Sequence, residues 1–306
     1  MARDNSSKHD SFSSLVCAYK ASPKFSGYAD ETRALWGREL EFAGHVMALG
    51  AVSLDDLRPS IVQAYFDGLA GRPGKQAAAL AALRQLEKWA IVRDLLPQAI
   101  TTGVEIEHSD GGHTPWTDAQ VEIGEQKARK GFDRVILLAA NTGQRGSDLV
   151  RLGWTDIETF DGRDGFNVTQ VKTGKQIWLP ITAPLAEAMR GWERAPGPFL
   201  RMPDGRPWPR KSMTKAWTYE RDHNPDLEEL SRAGLVLHGL RGTACVRLRR
   251  AGATIPQIAD MVGMSEEMVA RYCRFSIQKE NAIAAVHHLE RNIRERDLDM
   301  SRKQKR

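Results

Sequence analysis

The chain has 306 residues, of which 41% are hydrophobic, and its 44 Lys and Arg against 39 Asp and Glu give a formal net charge of +5. This length suits about two domains, and the small positive excess is compatible with a nucleic-acid partner without indicating one. The mean hydropathy of −0.45, with no apolar run near the roughly 20 residues that cross a bilayer, argues against a membrane protein. The polar beginning of the chain lacks a signal-peptide pattern, so a cytoplasmic location is expected. Cys17, Cys245 and Cys273 are an odd number without metal-ligand spacing, so we predict neither a disulfide framework nor a zinc site.

The N-terminal part of the chain has apolar residues at helical spacing, interrupted by glycine and proline. This pattern predicts four helices, at residues 12–19, 28–49, 59–69 and 75–96, in a compact domain over residues 8–98. On the last of these helices, Lys75, Arg84 and Lys88 lie off the apolar stripe and are candidate contacts to DNA phosphates. A merely solvated helix face explains each of these side chains equally well.

Residues 99–114 have no sustained apolar period and include the sequence Ser-Asp-Gly-Gly, which is typical of an extended linker. A second domain is predicted over residues 115–300, followed by a basic tail at 301–306. Helical patterns run from residue 117 to 130, over 132–141 and 147–152, and again from 184 onwards. Between them, period-two alternation predicts strands at 154–159, 166–171 and 176–180. The predicted fold class is therefore mainly α, with a small three-stranded antiparallel sheet in the second domain.

The second domain contains four fragments whose polar groups suit phosphate chemistry. Arg145 follows a Thr-Gly turn and opens a short helix, Lys172 lies on a β-turn, and His238 and Arg241 are three residues apart, on one helical face. Each feature is weak evidence alone, because an isolated arginine at a helix start more often forms a surface ion pair. Together, these four side chains could neutralise a pentavalent phosphorane, and Tyr272 could supply the nucleophilic oxygen.

The order and context of these residues resemble the tyrosine recombinase (phage integrase) family, whose catalytic pattern is Arg, Lys, His-x-x-Arg, His or Trp, and Tyr. The interval from Arg241 to Tyr272 is 31 residues, which is similar to the family's helical interval. Residues 144–154 read QRGSDLVRLGW, which is similar to the first family box. The resemblance covers essentially the whole chain and implies an N-terminal core-binding (SAM-like) DNA-binding domain before the catalytic domain.

The resemblance implies a site-specific recombinase that cuts and rejoins double-stranded DNA through a 3′-phosphotyrosyl intermediate, without metal, ATP or another cofactor. Tyr272 would attack the phosphate, and Arg145 and Arg241 would hold its non-bridging oxygens. Lys172 would protonate the leaving 5′-oxygen. His238 would hydrogen-bond the phosphate or accept the tyrosine proton.

Three further positions carry an expectation. Asp148, one turn after Arg145, is a candidate to orient the active-site groups, although an ordinary acidic residue at a helix start is equally consistent. Cys273, beside the nucleophile, is expected to serve packing. The chain departs from the family pattern where His or Trp is usual, because Gly263 or Met264 occupies that position and neither side chain donates a hydrogen bond to phosphate.

The family resemblance also implies a homotetramer on DNA, with an accessory DNA-bending protein as a further partner. A C-terminal helix is predicted to carry an apolar stripe formed by Ile283, Val286, Leu289 and Ile293. This stripe would pack on a neighbouring protomer or, equally, on its own domain. Two rival functions stay open at this point: a type IB topoisomerase-like enzyme, and a DNA-binding protein that has lost catalysis.

Overall fold

The computed structural model describes residues 11–107, 112–129, 131–276, 282–283, 285–291 and 293. The chain divides into two compact units between residues 111 and 112. Among the described residues, no helix combines the length and the apolar character that crossing a bilayer requires. The basic tail predicted at 301–306 lies outside the described residues.

The N-terminal unit is built from helices and one π-helical turn, Val46–Gly50. Its helices are α1 (Phe12–Lys20), α2 (Pro23–Ser26), α3 (Asp30–Ala43), α4 (Pro59–Asp67) and α5 (Pro73–Ile91). Local sequence sets their beginnings: Ser11 caps α1 by accepting from the Ser14 N–H, and proline opens α2, α4 and α5. Their apolar faces meet in one core, whose largest fully buried side chains are Phe12, Leu15, Tyr19, Leu40, Leu57, Phe66, Leu83, Leu86 and Ile100.

Several N-terminal predictions differ from the structure, which has five helices here instead of four and ends the helix predicted at 75–96 at Ile91. The helix predicted at 28–49 ends at Ala43, because His45 adopts an extended conformation and its Nδ1 accepts the Met47 N–H at 3.2 Å, which starts a new turn. The linker predicted at 99–114 is also too long. Ile100 is completely buried in the N-terminal core, and the Glu87 carboxylate accepts from the Ile100 N–H at 2.6 Å. Residues just after 99 therefore belong to the N-terminal unit.

The second unit contains nine helices among the described residues up to Ser276 and one sheet, and residues 285–291 are helical as well. The helices are α6 (Asp118–Lys127), α7 (Phe132–Thr142), α8 (Gly146–Leu149), α9 (Ala183–Met189), α10 (Arg210–His223), α11 (Glu228–Arg232), α12 (Gly239–Arg250), α13 (Ile255–Val262) and α14 (Glu266–Ser276), with 3-10 turns at Trp154–Asp156 and Pro225–Leu227. The strands are β1 (Ile157–Phe160), β2 (Arg163–Thr169) and β3 (Gln176–Pro180), which pair antiparallel in the order β1-β2-β3. The predicted fold class, mainly helical with one small three-stranded antiparallel sheet, is confirmed.

The sheet packs one face on the core of this unit. Phe166 pairs with Leu179 and Val168 with Ile177, and all four side chains are buried on the same face. The first strand begins later than predicted, at Ile157. Asp156 accepts the Gly153 N–H at 2.7 Å, which closes a 3-10 turn where alternation alone predicts strand. The sheet thereby holds the β2–β3 turn beside the helices.

Helix α12 lies at the centre of the second unit, and its first two turns are buried. Gly239 lets another backbone segment approach this helix closely. A Cβ built on Gly239 would lie 2.3 Å from the Thr114 carbonyl oxygen, so this contact requires glycine. The Trp116 N–H donates to Thr243 Oγ1 at 2.7 Å and fixes the incoming chain on the same helix.

Candidate active site

Arg145 and Arg241 lie on different elements that meet at Gly143, two residues before Arg145. Arg145 precedes α8, after Gly143 ends α7 in a left-handed conformation (φ 62°). Arg241, on α12, is 3% exposed and donates to the carbonyl oxygens of Gly143 and Gly263, the latter at 3.4 Å. Burial, with the charge of Arg145 as the next cause, lowers the Arg241 pKa to about 10, so this guanidinium stays charged at neutral pH.

His238 stands just before α12, on the same turn as Arg241. Its ring meets that of His113 edge to face, with 5.0 Å between the ring centroids. Partial desolvation of a ring that is still open to solvent lowers the His238 pKa to about 4, and His113, Arg241, Arg145 and Arg210 act in the same direction. The imidazole is therefore neutral at physiological pH and is able to accept a proton.

Tyr272 reaches the same place from α14. Its ring is partly buried against α12, and a Cβ built on Gly242 would lie 2.7 Å from Tyr272 Cδ1. Burial raises the Tyr272 pKa, while the nearby Arg241 opposes this shift. The phenol is thus protonated at neutral pH, so its activation needs a base.

Cys273, the next residue on α14, is 3% exposed and belongs to the small cluster between α12, α13 and α14. Its thiol approaches the Cys245 carbonyl oxygen at 3.8 Å, and burial raises the Cys273 pKa. A protonated buried thiol is a poor nucleophile, which fits a packing role.

Lys172 lies on the turn between β2 and β3 and is exposed. Asp148, on α8, is 2% exposed, and its Oδ1 accepts the Val171 N–H at 2.8 Å. The carboxylate that follows Arg145 by three residues therefore anchors the turn that carries Lys172. This contact supports the orienting role expected for Asp148.

Gly263 and Met264, the two candidates for the usual His or Trp position, lie at the end of α13. Gly263 ends that helix with φ 66°, and a Cβ built there would lie 2.5 Å from Gln170 Nε2. A side chain at residue 263 is therefore excluded both by backbone conformation and by space. Met264, the other candidate for that position, is partly buried against the cluster that contains Cys245.

The sequence model of the phage integrase family matches residues 125–279, which is half of the chain and spans every residue from Arg145 to Tyr272. The chain belongs to the phage integrase family. The predicted membership is confirmed, and with it the assignment to the tyrosine recombinases.

Solved structures of similar fold are integrases too. A lambda integrase dimer bound to a COC′ core site has 18% identity and a TM-score of 0.70, over 85% of this chain and 94% of that chain. A Tn1549 transposon integrase in complex with transposon right end DNA has 15% identity and a TM-score of 0.71, over 92% of this chain and 99% of that chain. A lambda integrase tetramer bound to a Holliday junction has 18% identity and a TM-score of 0.69, over 86% and 80% of the chains. A search of curated proteins found no match.

Some site features of this integrase are missed by motif reasoning. Gln144 and Gln170 are buried next to Arg145, His113 contacts His238, and Gly242 contacts Tyr272. The glutamines fall inside the recognised fragments, but no local pattern distinguishes a buried amide there from an exposed one. The contacts of His113 and Gly242 join segments far apart in sequence and have no sequence signal.

The three candidate DNA contacts of the N-terminal unit do not share one surface. Lys75 Nζ lies over the Phe42 ring, 3.3 Å from its centroid. Arg84 and Lys88 are exposed one turn apart on α5. Helical geometry places Lys75 on nearly the opposite face of this helix. Arg84 and Lys88 therefore remain a joint candidate, whereas Lys75 is occupied by an aromatic contact.

Proposed function

We propose that this integrase is a site-specific recombinase that cuts and rejoins double-stranded DNA through Tyr272. The observation that carries this proposal is the meeting of Arg145, Arg241 and His238 beside the tyrosine, although they come from separate elements. Two guanidinium groups held by fixed acceptors form a preorganised site for an anion.

The proposed chemistry starts from a protonated Tyr272 phenol and a neutral His238 imidazole. Tyr272 Oη attacks the phosphorus, its proton passes to neutral His238, and the bond from phosphorus to the 5′-oxygen breaks. Lys172 protonates that oxygen, which leaves a 3′-phosphotyrosyl bond and a free 5′-hydroxyl. Arg145 and Arg241 stabilise the charge that builds on the non-bridging oxygens. A 5′-hydroxyl from another strand reverses the steps, so no cofactor is required by this scheme.

We also propose a separate role for each of the two units. The N-terminal unit is the core-binding DNA-binding domain, with Arg84 and Lys88 facing the phosphates, and the second unit is catalytic. Assembly as a homotetramer on DNA follows from the same family, with an accessory DNA-bending protein as a further partner. A cytoplasmic location is part of the same proposal.

Covalent trapping tests this proposal. A pool of randomised nicked duplexes is incubated with the protein, and protein–DNA adducts that survive denaturation are isolated and sequenced. We expect adducts with the wild type, linkage through Tyr272 by peptide mass spectrometry, and no adduct with Tyr272→Phe, whose DNA affinity should be nearly unchanged. An adduct formed by Tyr272→Phe would refute the nucleophile assignment.

The rival functions give different results in the same experiment. A DNA-binding protein without catalysis, for which the missing His or Trp is the specific argument, would bind duplexes and yield no adduct. A type IB topoisomerase-like enzyme would relax a supercoiled plasmid that lacks the recovered sequence, whereas a recombinase should act where that sequence is present.

A further inference from the structure

A pair of buried glutamines lies between the two arginines of the proposed site. Gln170 is completely buried, and Gln144 is 3% exposed. Gln170 Nε2 donates to Gln144 Oε1 at 2.9 Å and to the Val262 carbonyl at 3.1 Å. Gln170 Oε1 accepts from Arg145 Nη1 at 3.1 Å and from the Thr173 hydroxyl at 3.0 Å. Each polar atom of this amide has two partners, and these hydrogen bonds offset the desolvation cost of burying it completely.

The backbone of Gln170 closes the turn that follows it. Its N–H donates to the Lys175 carbonyl at 2.9 Å, and its carbonyl accepts the Gly174 N–H at 2.8 Å. Lys172 lies inside this turn. One residue thus fixes the turn that carries the lysine through its backbone, and the guanidinium of Arg145 through its side chain.

The backbone segments around Gln144 and Val262 also hold the second arginine. Arg241 donates to the carbonyls of Gly143 and Gly263. These residues are the direct neighbours of Gln144 and Val262, which Gln170 contacts. A displacement of the Gln170 amide would therefore be transmitted to both guanidinium groups. The amide also fills the space that a side chain at residue 263 would need.

We propose that Gln170 is a positioning residue for strand cleavage, which sets the orientation of Arg145 and of the Lys172 turn without itself contacting DNA. The inference rests on the proposed cleavage activity. A guanidinium forms two parallel hydrogen bonds to phosphate only at a defined angle, so loss of its fixed acceptor acts on the rate of cleavage rather than on DNA affinity.

The first test compares Gln170→Met with Gln76→Met. Gln76 is an equally buried glutamine of the N-terminal unit, 3% exposed, whose amide pairs with the Phe66 carbonyl and the Glu107 N–H. Both variants lose buried hydrogen bonds and should lower thermal stability. Single-turnover cleavage of the trapped-site duplex at saturating protein should fall about 10- to 100-fold in Gln170→Met alone, since misplacement of catalytic groups by about 1 Å costs this much. A Gln170→Met rate within about threefold of wild type, or an equal loss in Gln76→Met, would overturn the proposal.

A double-mutant cycle separates positioning from general damage. Gln170→Met keeps the backbone that closes the Lys172 turn, so its effect should pass through Arg145 and should cost little further rate when Arg145 is already replaced by Lys. If the two losses multiply fully, the amide does not act through that arginine and the proposal is wrong.

Gln170→Glu is a second variant that tests the proposal even if Gln170→Met does not fold. The carboxylate still accepts from Arg145 and Thr173 but no longer donates to Val262, so we expect cleavage that is slower than wild type and faster than in any folded Gln170→Met protein. A wild-type rate in Gln170→Glu would overturn the inference. Such a result would leave the proposed function intact, because that depends on adduct formation by the wild-type protein.

Discussion

The ring of Tyr272 lies directly against the backbone of Gly242. A Cβ added at Gly242 would stand 2.7 Å from Tyr272 Cδ1 and 2.9 Å from Pro115 Cγ. Both distances are shorter than real Cβ contacts, so the proposed nucleophile keeps this position only if residue 242 has no side chain. Helix α12 therefore supplies Arg241 and, at the next residue, the surface that seats the tyrosine.

Replacing Gly242 by Ala should slow cleavage by about 10- to 100-fold, because the added methyl group pushes the tyrosine ring away from the phosphate. DNA affinity should change little. The matched control is Gly37→Ala on α3, where a Cβ would meet Phe25 at an ordinary 3.7 Å. Single-turnover cleavage and DNA binding of both variants check this, and equal cleavage rates in the two would contradict it.

Conversion of Arg145 or Arg241, the proposed phosphate-binding residues, to lysine should impair cleavage severely. An ammonium group cannot form two parallel hydrogen bonds. In Arg241→Lys, the protein also loses the two guanidinium donors that bind the Gly143 and Gly263 carbonyl oxygens. Removal of one stabilising donor typically costs about 10²–10³ in rate, so losses of roughly that size are expected. Near-wild-type cleavage by Arg241→Lys would show that bidentate binding is not needed.

The depressed pKa of His238 makes folding stability depend on pH. The pKa is about 4 in the folded protein against an ordinary value of 6.5, so the unfolded chain binds more protons between these values. The contribution of His238 to stability is therefore complete above pH 6.5 and is lost as the pH falls towards 4. His238→Gln, which does not titrate, should flatten the pH dependence of the urea midpoint across this window. The prediction fails if wild type and variant show the same slope.

The C-terminal apolar stripe gives a prediction about assembly. Ile283, Val286, Leu289 and Ile293 are exposed by 59%, 51%, 60% and 48% in the single chain, so their own domain does not bury them. We expect deletion of residues 283–306 to preserve thermal stability and DNA binding but to abolish higher-order complexes on DNA. Thermal unfolding and native gel electrophoresis of the DNA complex measure these two effects. Loss of thermal stability in the isolated truncated protein would favour packing on the same chain instead.

A Val286→Asp, Leu289→Asp double variant is the control for the deletion. It keeps the chain length and changes only two apolar side chains of the stripe. If burial against a second protomer drives assembly, this variant should fail to assemble as the truncated protein does. Normal assembly and recombination by both proteins would reject the trans interaction.

The sequence by itself determined the fold class, the family and the order of the candidate catalytic residues. These features are local: strand alternation, helix-start signals such as the Thr117 cap of α6, and short motifs around Arg145, His238 and Tyr272 are all read within a few residues. Local patterns also misled, as with the helix predicted at 28–49, because periodicity does not reveal that His45 turns the backbone.

Only the tertiary structure decided how these motifs are joined. Gln170 meets Val262 across 92 residues and Gln144 across 26, and the same amide fills the space that a side chain at residue 263 would need. The packing of Ile100 into the N-terminal core is likewise a long-range contact. Such contacts depend on which surfaces the whole chain brings together, whereas sequence periodicity reports only which face of one element is apolar.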